Sequence, residues 1–388
     1  MLTHLGDISV ETFLKEYWQQ KPLLIRQAFP DFESPLSPDE LAGLALEPDV
    51  ESRIILEQGK TGPWELHCGP FAESTFSQLP ESHWTLLVQA VDQWVPEVQA
   101  LLDHFRFIPN WRLDDIMISY AADQGSVGPH FDYYDVFLLQ GYGQRHWQLG
   151  QTCTAHSPRL EGTSLNILQT FEPEQDWILE PGDMLYIPPQ VAHHGIGIGD
   201  CMTYSIGFRA PSHADILTEF SQELAGHLDN DLRYSDAGLS PQQNPGEIKP
   251  QAIQQLKRTL RRYLEDDAKL TDWFGGYMTT RKYPELEDSD HDHYSIEAWT
   301  EAIDDGALLC HHPAARFAYT EIEAEHANSP VHLFVDGETL SCNQQLAQLL
   351  CAKPDFSAED LAPFRQNDGD LQLITQLLNQ GALLLDTD

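Results

Sequence analysis

The chain has 388 residues and a formal charge of −39 at pH 7, with 22 Lys+Arg against 61 Asp+Glu. That length suits two or three domains, and so acidic a surface repels nucleic-acid and membrane phosphates while attracting basic partners. No run approaches the roughly 18 uncharged apolar residues of a membrane span. The first ten residues show no secretory pattern, and six scattered cysteines without a C-x-x-C pair fit a reducing cytoplasm.

Along the chain, Val10 to Gln20 has helical periodicity, and Pro22 opens the apolar strand-like run Leu23-Leu24-Ile25. Ser37-Pro38-Asp39-Glu40 is a capping box with proline at the first helical position, so a helix starts there. Thr85 to Trp94 reads as another helix. From Ile116 to Pro211 the pattern changes to short β-rich runs split by Gly, Pro and Asp, as in a barrel or sandwich. Helical periods return at Ala214 to His227 and Gln251 to Leu264. A polar segment, Glu285 to His293, reads as an acidic linker, and its Asp288-Ser289-Asp290-His291-Asp292-His293 lacks the glycine and the distal glutamate of a calcium loop. The tail, Tyr294 to Asp388, mixes helices with a hairpin turning at Asp336-Gly337.

The chemistry concentrates in the β-rich stretch. Gly128-Pro129-His130-Phe131-Asp132 reads as the opening of a strand, which places His130 and Asp132 on one face and Phe131 on the other. Some sixty residues later Pro181-Gly182-Asp183-Met184-Leu185-Tyr186-Ile187-Pro188-Pro189 leads to His193, with His194 as its competitor. Two imidazoles and a carboxylate leave three metal positions open. This suits non-haem Fe(II), where O2 and a chelating cosubstrate need adjacent sites. Val136 to Leu149 reads strand, glycine turn, strand, with Arg145, Trp147 and Leu149 on one face. An arginine facing a barrel interior needs an anion, and a guanidinium suits the far carboxylate of 2-oxoglutarate.

These residues resemble the bacterial JmjC-type ribosomal oxygenases, whose known activity is arginine hydroxylation of ribosomal protein L sixteen. The likeness is carried by Tyr17-Trp18, Lys21 to Arg26, Gly128 to Asp132, Tyr134 to Phe137, Gln140-Gly141, Arg145, Pro181 to Pro189 and Tyr204 to Pro211. It is dense from about residue 10 to 215. The resemblance implies a mainly β fold with helices: a cupin-like double-stranded β-helix (JmjC) over 1–211, a helical dimerisation region over 212–284, the linker 285–293, and a winged-helix-like domain over 294–388. It also implies iron at His130, Asp132 and His193, 2-oxoglutarate on Arg145 and Ser119, and a homodimer. Ser119 owes its role to the resemblance alone.

The substrate implied is an arginine of a basic ribosomal protein. Asp123, Tyr142 and Ser205 are the candidates to hold it, by salt bridge, stacking and hydrogen bond. A histidyl hydroxylase or lysine demethylase of the same superfamily is the alternative, as is a cupin that binds metal without oxidising anything. Arg145 speaks against the last, which needs no carboxylate anchor. The tail from Tyr294 carries three basic residues (Arg316, Lys353, Arg365) and sixteen acidic ones. Direct nucleic-acid binding is therefore not expected, and the tail reads as a protein-interaction or substrate-orienting domain.

Overall fold

The computed structural model describes residues 2–59, 63–284, 293–321 and 331–387. It divides into two compact units, 1–210 and 211–388.

The first unit opens with helix α1 (Val10–Glu16), capped by the Ser9 hydroxyl, and strand β1 (Leu23–Ile25). The helix stops short of Gln20: Gln19 takes a left-handed backbone (φ 58°) in the turn that follows. Helix α2 (Pro38–Leu44) has the expected capping box between Ser37 and Glu40. Then come β2 (Ser52–Gln58), β3 (Pro63–Cys68), β4 (Trp84–Val88), β5 (Leu113–Ala121), β6 (Val136–Thr152), β7 (Pro173–Leu179), β8 (Met184–Ile187) and β9 (Val191–Phe208).

The expected helix at Thr85 to Trp94 is instead β4 followed by a single 3-10 turn, Val91–Gln93. Strand β4 lies between β2 and β5, and residues 85–88 are buried. A strand covered on both faces becomes a continuous apolar run, which periodicity cannot tell from a buried helical turn.

The sheet runs β1-β8-β6-β9-β5-β4-β2-β3, with β7 also on β6. Strands β6 and β9 are 17 and 18 residues long, not short. Each is shared between two faces of the barrel. The first part of β6 pairs with β8, the last part with β7, and β9 follows it throughout. The supposed glycine turn at 141–143 is part of this continuous strand.

Between Thr203↔Gln140 and Met202↔Tyr142 the ladder advances two residues on β6 for one on β9, so Gly141 is the extra residue of a β-bulge. The bulge reverses which face of β6 looks inward. Val136 and Leu138 before it share a buried cluster with Trp147 and Leu149 after it. Glycine is required at 141, because a Cβ there would lie 2.4 Å from the ring of the fully buried Tyr204.

The second unit begins with α3 (His213–Gly226), α4 (Pro250–Leu264) and α5 (Asp267–Thr279). Phe220 of α3 packs on Trp273 of α5, whereas α4 has no buried residue. Helix α6 (Ile296–Asp304), β10 (Leu308–His311), β11 (Phe317–Thr320), β12 (Val331–Val335), β13 (Glu338–Cys342), α7 (Gln344–Ala352), α8 (Asp368–Asn379) and β14 (Leu383–Asp386) follow. The Asp336-Gly337 hairpin is present, and both residues have positive φ (51° and 94°), as a two-residue type I′ turn requires. The acidic run at 285–292 lies outside the described residues.

Candidate active site

Residues 128–135 are an extended loop rather than a strand. A single bridge joins His130 to His193 on β9, with reciprocal backbone hydrogen bonds of 3.0 and 2.8 Å. Extended backbone still alternates its side chains. Phe131 turns into an apolar cluster with Cys153, Leu168 and Ala192, while His130 and Asp132 turn the other way.

Among the described residues, His130, Asp132 and His193 offer one ligand atom each, all within 4.8 Å of one another. Asp132 Oδ2 lies 3.5 Å from His193 Nε2 and 4.0 Å from His130 Nε2. Both imidazoles are held the same way. His130 Nδ1 donates to the carbonyl of Gly128 (2.9 Å), and His193 Nδ1 to that of Val191 (3.0 Å). A carbonyl can only accept, so each ring keeps its proton on Nδ1 and turns the Nε2 lone pair toward Asp132. Burial pulls the pKa of His193 down to about 4, with help from neighbouring His130. The neutral imidazole that a metal needs is therefore the resting form.

His194 lies on the opposite face of the strand, edge-on to Phe171 and outside the three-residue cluster. Its pKa also falls to about 4, again chiefly through burial.

Arg145 is buried in the barrel, 2 % exposed. Its Nη1 donates to Ser119 Oγ (3.0 Å) and Thr203 Oγ1 (3.4 Å), and its Nη2 to the Gly195 carbonyl (3.4 Å). Thr203 in turn donates to Gln140 Oε1 (3.1 Å). Its guanidinium lies 5.0 Å from the ring centre of Trp147, whose ring stands 6.1 Å from that of His193. Residue 195 must be glycine, since a Cβ there would strike both Trp147 and Arg145. No carboxylate pairs with Arg145 among the described residues, and its buried Nε has no partner. Loss of hydration accordingly lowers its pKa. An unpaired cation buried this way is costly, and a dicarboxylate beside the cluster would supply the missing charge. The donor set fits a borderline divalent transition-metal ion such as Fe(II) with open positions, and Arg145 fits a carboxylate chelated there.

The structure brings Ser119 to Arg145 and adds Thr203 and Gln140, which were not anticipated. A hydroxyl or amide at an alternate position of an apolar strand was the only signal, and it does not tell a buried partner from water. Ser205 follows Thr203 two places along the same strand and so shares its face. Asp123 is exposed and accepts the Gly199 N–H (2.8 Å). Tyr142 is 47 % exposed, near enough to Tyr120 to help raise that phenol's pKa. Among the described residues, no hydrogen bond or ion pair joins Asp123, Tyr142 or Ser205 to the three-residue cluster.

Comparison with known proteins agrees with this architecture. Residues 100–216 match the JmjC domain, and 262–384 the ROXA-like winged helix. The chain is 38 % identical to the ribosomal protein uL16 3-hydroxylase of Escherichia coli, over 70 % of this chain and 71 % of that one. It is 36 % identical to a probable ribosomal oxygenase of Haemophilus influenzae, over 86 % and 82 %. The solved structure of the E. coli ribosomal oxygenase YcfD with cobalt and 2-oxoglutarate superimposes with a TM-score of 0.84 at 30 % identity, covering 96 % and 97 %. A JmjC barrel with this donor set defines an Fe(II)- and 2-oxoglutarate-dependent oxygenase that consumes O2. Within that class, the chain belongs to the ribosomal oxygenase family.

Proposed function

We propose that the protein hydroxylates an arginine side chain of a large-subunit ribosomal protein, with iron on His130, Asp132 and His193 and the far carboxylate of 2-oxoglutarate on Arg145 and Ser119. The observation that carries this is the buried, uncompensated Arg145 in the same barrel as a two-histidine, one-carboxylate cluster. Bound iron and 2-oxoglutarate supply the oxidising chemistry. His130 and His193 present neutral Nε2 atoms, and Asp132 supplies a charge. Arg145 and Ser119 orient the cosubstrate, and Trp147, Leu149, Leu179 and Leu185 keep that end of the barrel dry.

The arginine target rests on the uL16 hydroxylase relative and on the acidity of the chain. Asp123 is the proposed partner of its guanidinium. One oxygen holds Gly199, and the other makes no hydrogen bond among the described residues. Tyr142 is proposed to stack on the guanidinium and Ser205 to hydrogen-bond it. The test is mass spectrometry of arginine, histidine and lysine peptides after incubation with enzyme, iron and 2-oxoglutarate. One added oxygen on arginine is expected. Histidine or lysine products would move the activity elsewhere in the superfamily, and absence of succinate would leave a non-oxidising cupin. Asp123→Ala should cost about thirty-fold or more in arginine hydroxylation, from a desolvated charge pair worth about 2–5 kcal/mol. It should spare uncoupled 2-oxoglutarate turnover.

We further propose a homodimer through 212–284. Ile253, Leu256, Leu260 and Leu264 form an exposed stripe on α4, and the same helix carries Lys257, Arg258, Arg261 and Arg262 in a strongly acidic chain. A groove at Phe220, Leu224, Trp273 and Tyr277, edged by Glu219, Glu223 and Asp272, has the complementary character. Leu256→Glu with Leu260→Glu should yield monomers in light scattering. For 294–388 we propose protein rather than nucleic-acid recognition, given its acidity. A ribosomal substrate implies a cytoplasmic site of action. No helix among the described residues is long and apolar enough to cross a membrane.

A further inference from the structure

The aim of Asp132 is not explained by its own contacts. Among the described residues its carboxylate meets the two imidazoles and receives no hydrogen bond that would orient it. Among the described residues the neighbouring Tyr133 and Tyr134, 49 % and 43 % exposed, donate no hydrogen bond to it. Its direction must come from the backbone. One end of that backbone is held at the Asp132 carbonyl, which accepts the N–H of Gln190 (2.7 Å).

The other end is held by Asp135, a fully buried carboxylate. Tyr186 on β8 donates its hydroxyl to Asp135 Oδ1 (2.6 Å). The Gln19 side-chain amide donates to Oδ2 (2.9 Å), and Arg112, just ahead of β5, reaches the same oxygen at 3.4 Å. Gln19 is doubly engaged, since its backbone N–H also donates to the Tyr186 hydroxyl (2.7 Å). Donors from three separate places in the fold thus converge on the residue three beyond Asp132. A carboxylate buried without such donors would be strongly destabilising. Burial alone raises the pKa of Asp135, and these hydrogen bonds oppose the rise.

We propose that Asp135 is a positioning residue for the metal centre: its hydrogen bonds to Gln19, Tyr186 and Arg112 fix the path of residues 132–135 and so aim Asp132 at the metal. This rests on the ligand set proposed above. Groups that orient metal ligands typically change affinity about 10–100-fold when removed.

The test is equilibrium Co(II) binding by the full chain, read by titration and by the visible spectrum of the bound ion, with Tm measured alongside. Asp135→Asn keeps the shape but replaces one acceptor oxygen by an NH2, which must face either the Tyr186 hydroxyl or the Gln19 and Arg112 donors, and should weaken Co(II) binding about tenfold with an altered spectrum. Gln19→Gly removes one donor, suits the left-handed backbone at that position, and should weaken binding less, in the same direction. Leu41→Ala, a buried truncation elsewhere in the first unit, should lower Tm and leave binding unchanged. Wild-type affinity in folded Asp135→Asn overturns the proposal. So does an equal loss of affinity in Leu41→Ala, which would make the effect one of general stability. Should Asp135→Asn not fold, Gln19→Gly decides: wild-type affinity overturns, weakened affinity supports. His130→Ala is the separate control on the ligand set. If it binds Co(II) normally, the ligand assignment fails, and this inference with it.

Discussion

In residues 211–388 the buried cluster is built from Trp299, Ile303, Leu309, Leu346, Leu350, Phe356, Leu373, Leu377 and their neighbours. Its main buried cation, Arg281, has a carboxylate, Asp336, at 2.7 Å. In residues 1–210 an equally apolar cluster surrounds α1 and the outer face of the barrel. The inner face holds Arg145 without a counter-charge, and Ser119, Gln140, Thr203 and His193 buried around it. One unit has paired its buried arginine internally. The other has left a charge open, at a cost in stability, and thereby carries a site. Buried polar groups inform on function when their partners are missing, not merely when they are present.

This contrast can be broken experimentally. The largest effect should come from His130→Ala or Asp132→Ala, which should reduce Co(II) affinity by about a hundredfold or more and abolish 2-oxoglutarate turnover. Full turnover in either would remove the centre from the first unit. Next, Arg145→Met should eliminate 2-oxoglutarate binding in calorimetric titration. Because it removes an unpaired buried cation, the metal-free chain should keep its stability or gain up to about 2 kcal/mol. Loss of stability would mean that Arg145 is as structural as Arg281.

Leu346→Ala, fully buried in the second unit, should cost about 2–5 kcal/mol. It should leave Co(II) affinity untouched, and it identifies the second unit's transition in calorimetry.

Acid should then separate the units. His193 and His194 have pKa values lowered to about 4 in the folded chain, against about 6.5 when unfolded. The unfolded state takes up protons first, so the metal-free first unit loses stability as pH falls from about 6.5 to 4. The slope is about 1.4 kcal/mol per pH unit for fully buried His193, and less for His194. A calorimetric transition of the first unit that stays put over that window would contradict the burial argument. The smallest effect belongs to His194→Ala, which should retain most Co(II) binding and turnover. The reverse outcome would exchange the roles of the two histidines.

The centre was legible because a facial ligand set needs particular side chains at particular spacings, and His130, Asp132 and His193 survive in the sequence whatever the backbone does between them. Arg145 was legible because a cation among aromatics demands a reason. Thr203 and Gln140 were not, since a hydroxyl or amide in a strand looks the same whether it meets water or a buried guanidinium. Asp135 was hidden because its partners, Gln19, Arg112 and Tyr186, lie 23 to 116 residues away in the chain. The helix expected at Thr85 to Trp94 failed because a strand buried on both faces loses its alternation. The long helices α3 and α4 showed clearly because their exposed sides keep the period intact.

The bulge at Gly141 means that strand β6 is written in two phases. Up to Gln140 the even positions face the barrel interior, and from Arg145 onward the odd ones do. Flattening the bulge with every residue kept would therefore act like a frameshift in space. Arg145, Trp147 and Leu149 would swing to the outside, and Gln144, His146 and Gln148 would take their places, although every residue of the site remained in the chain. Deleting Gly141 as well would restore the phase.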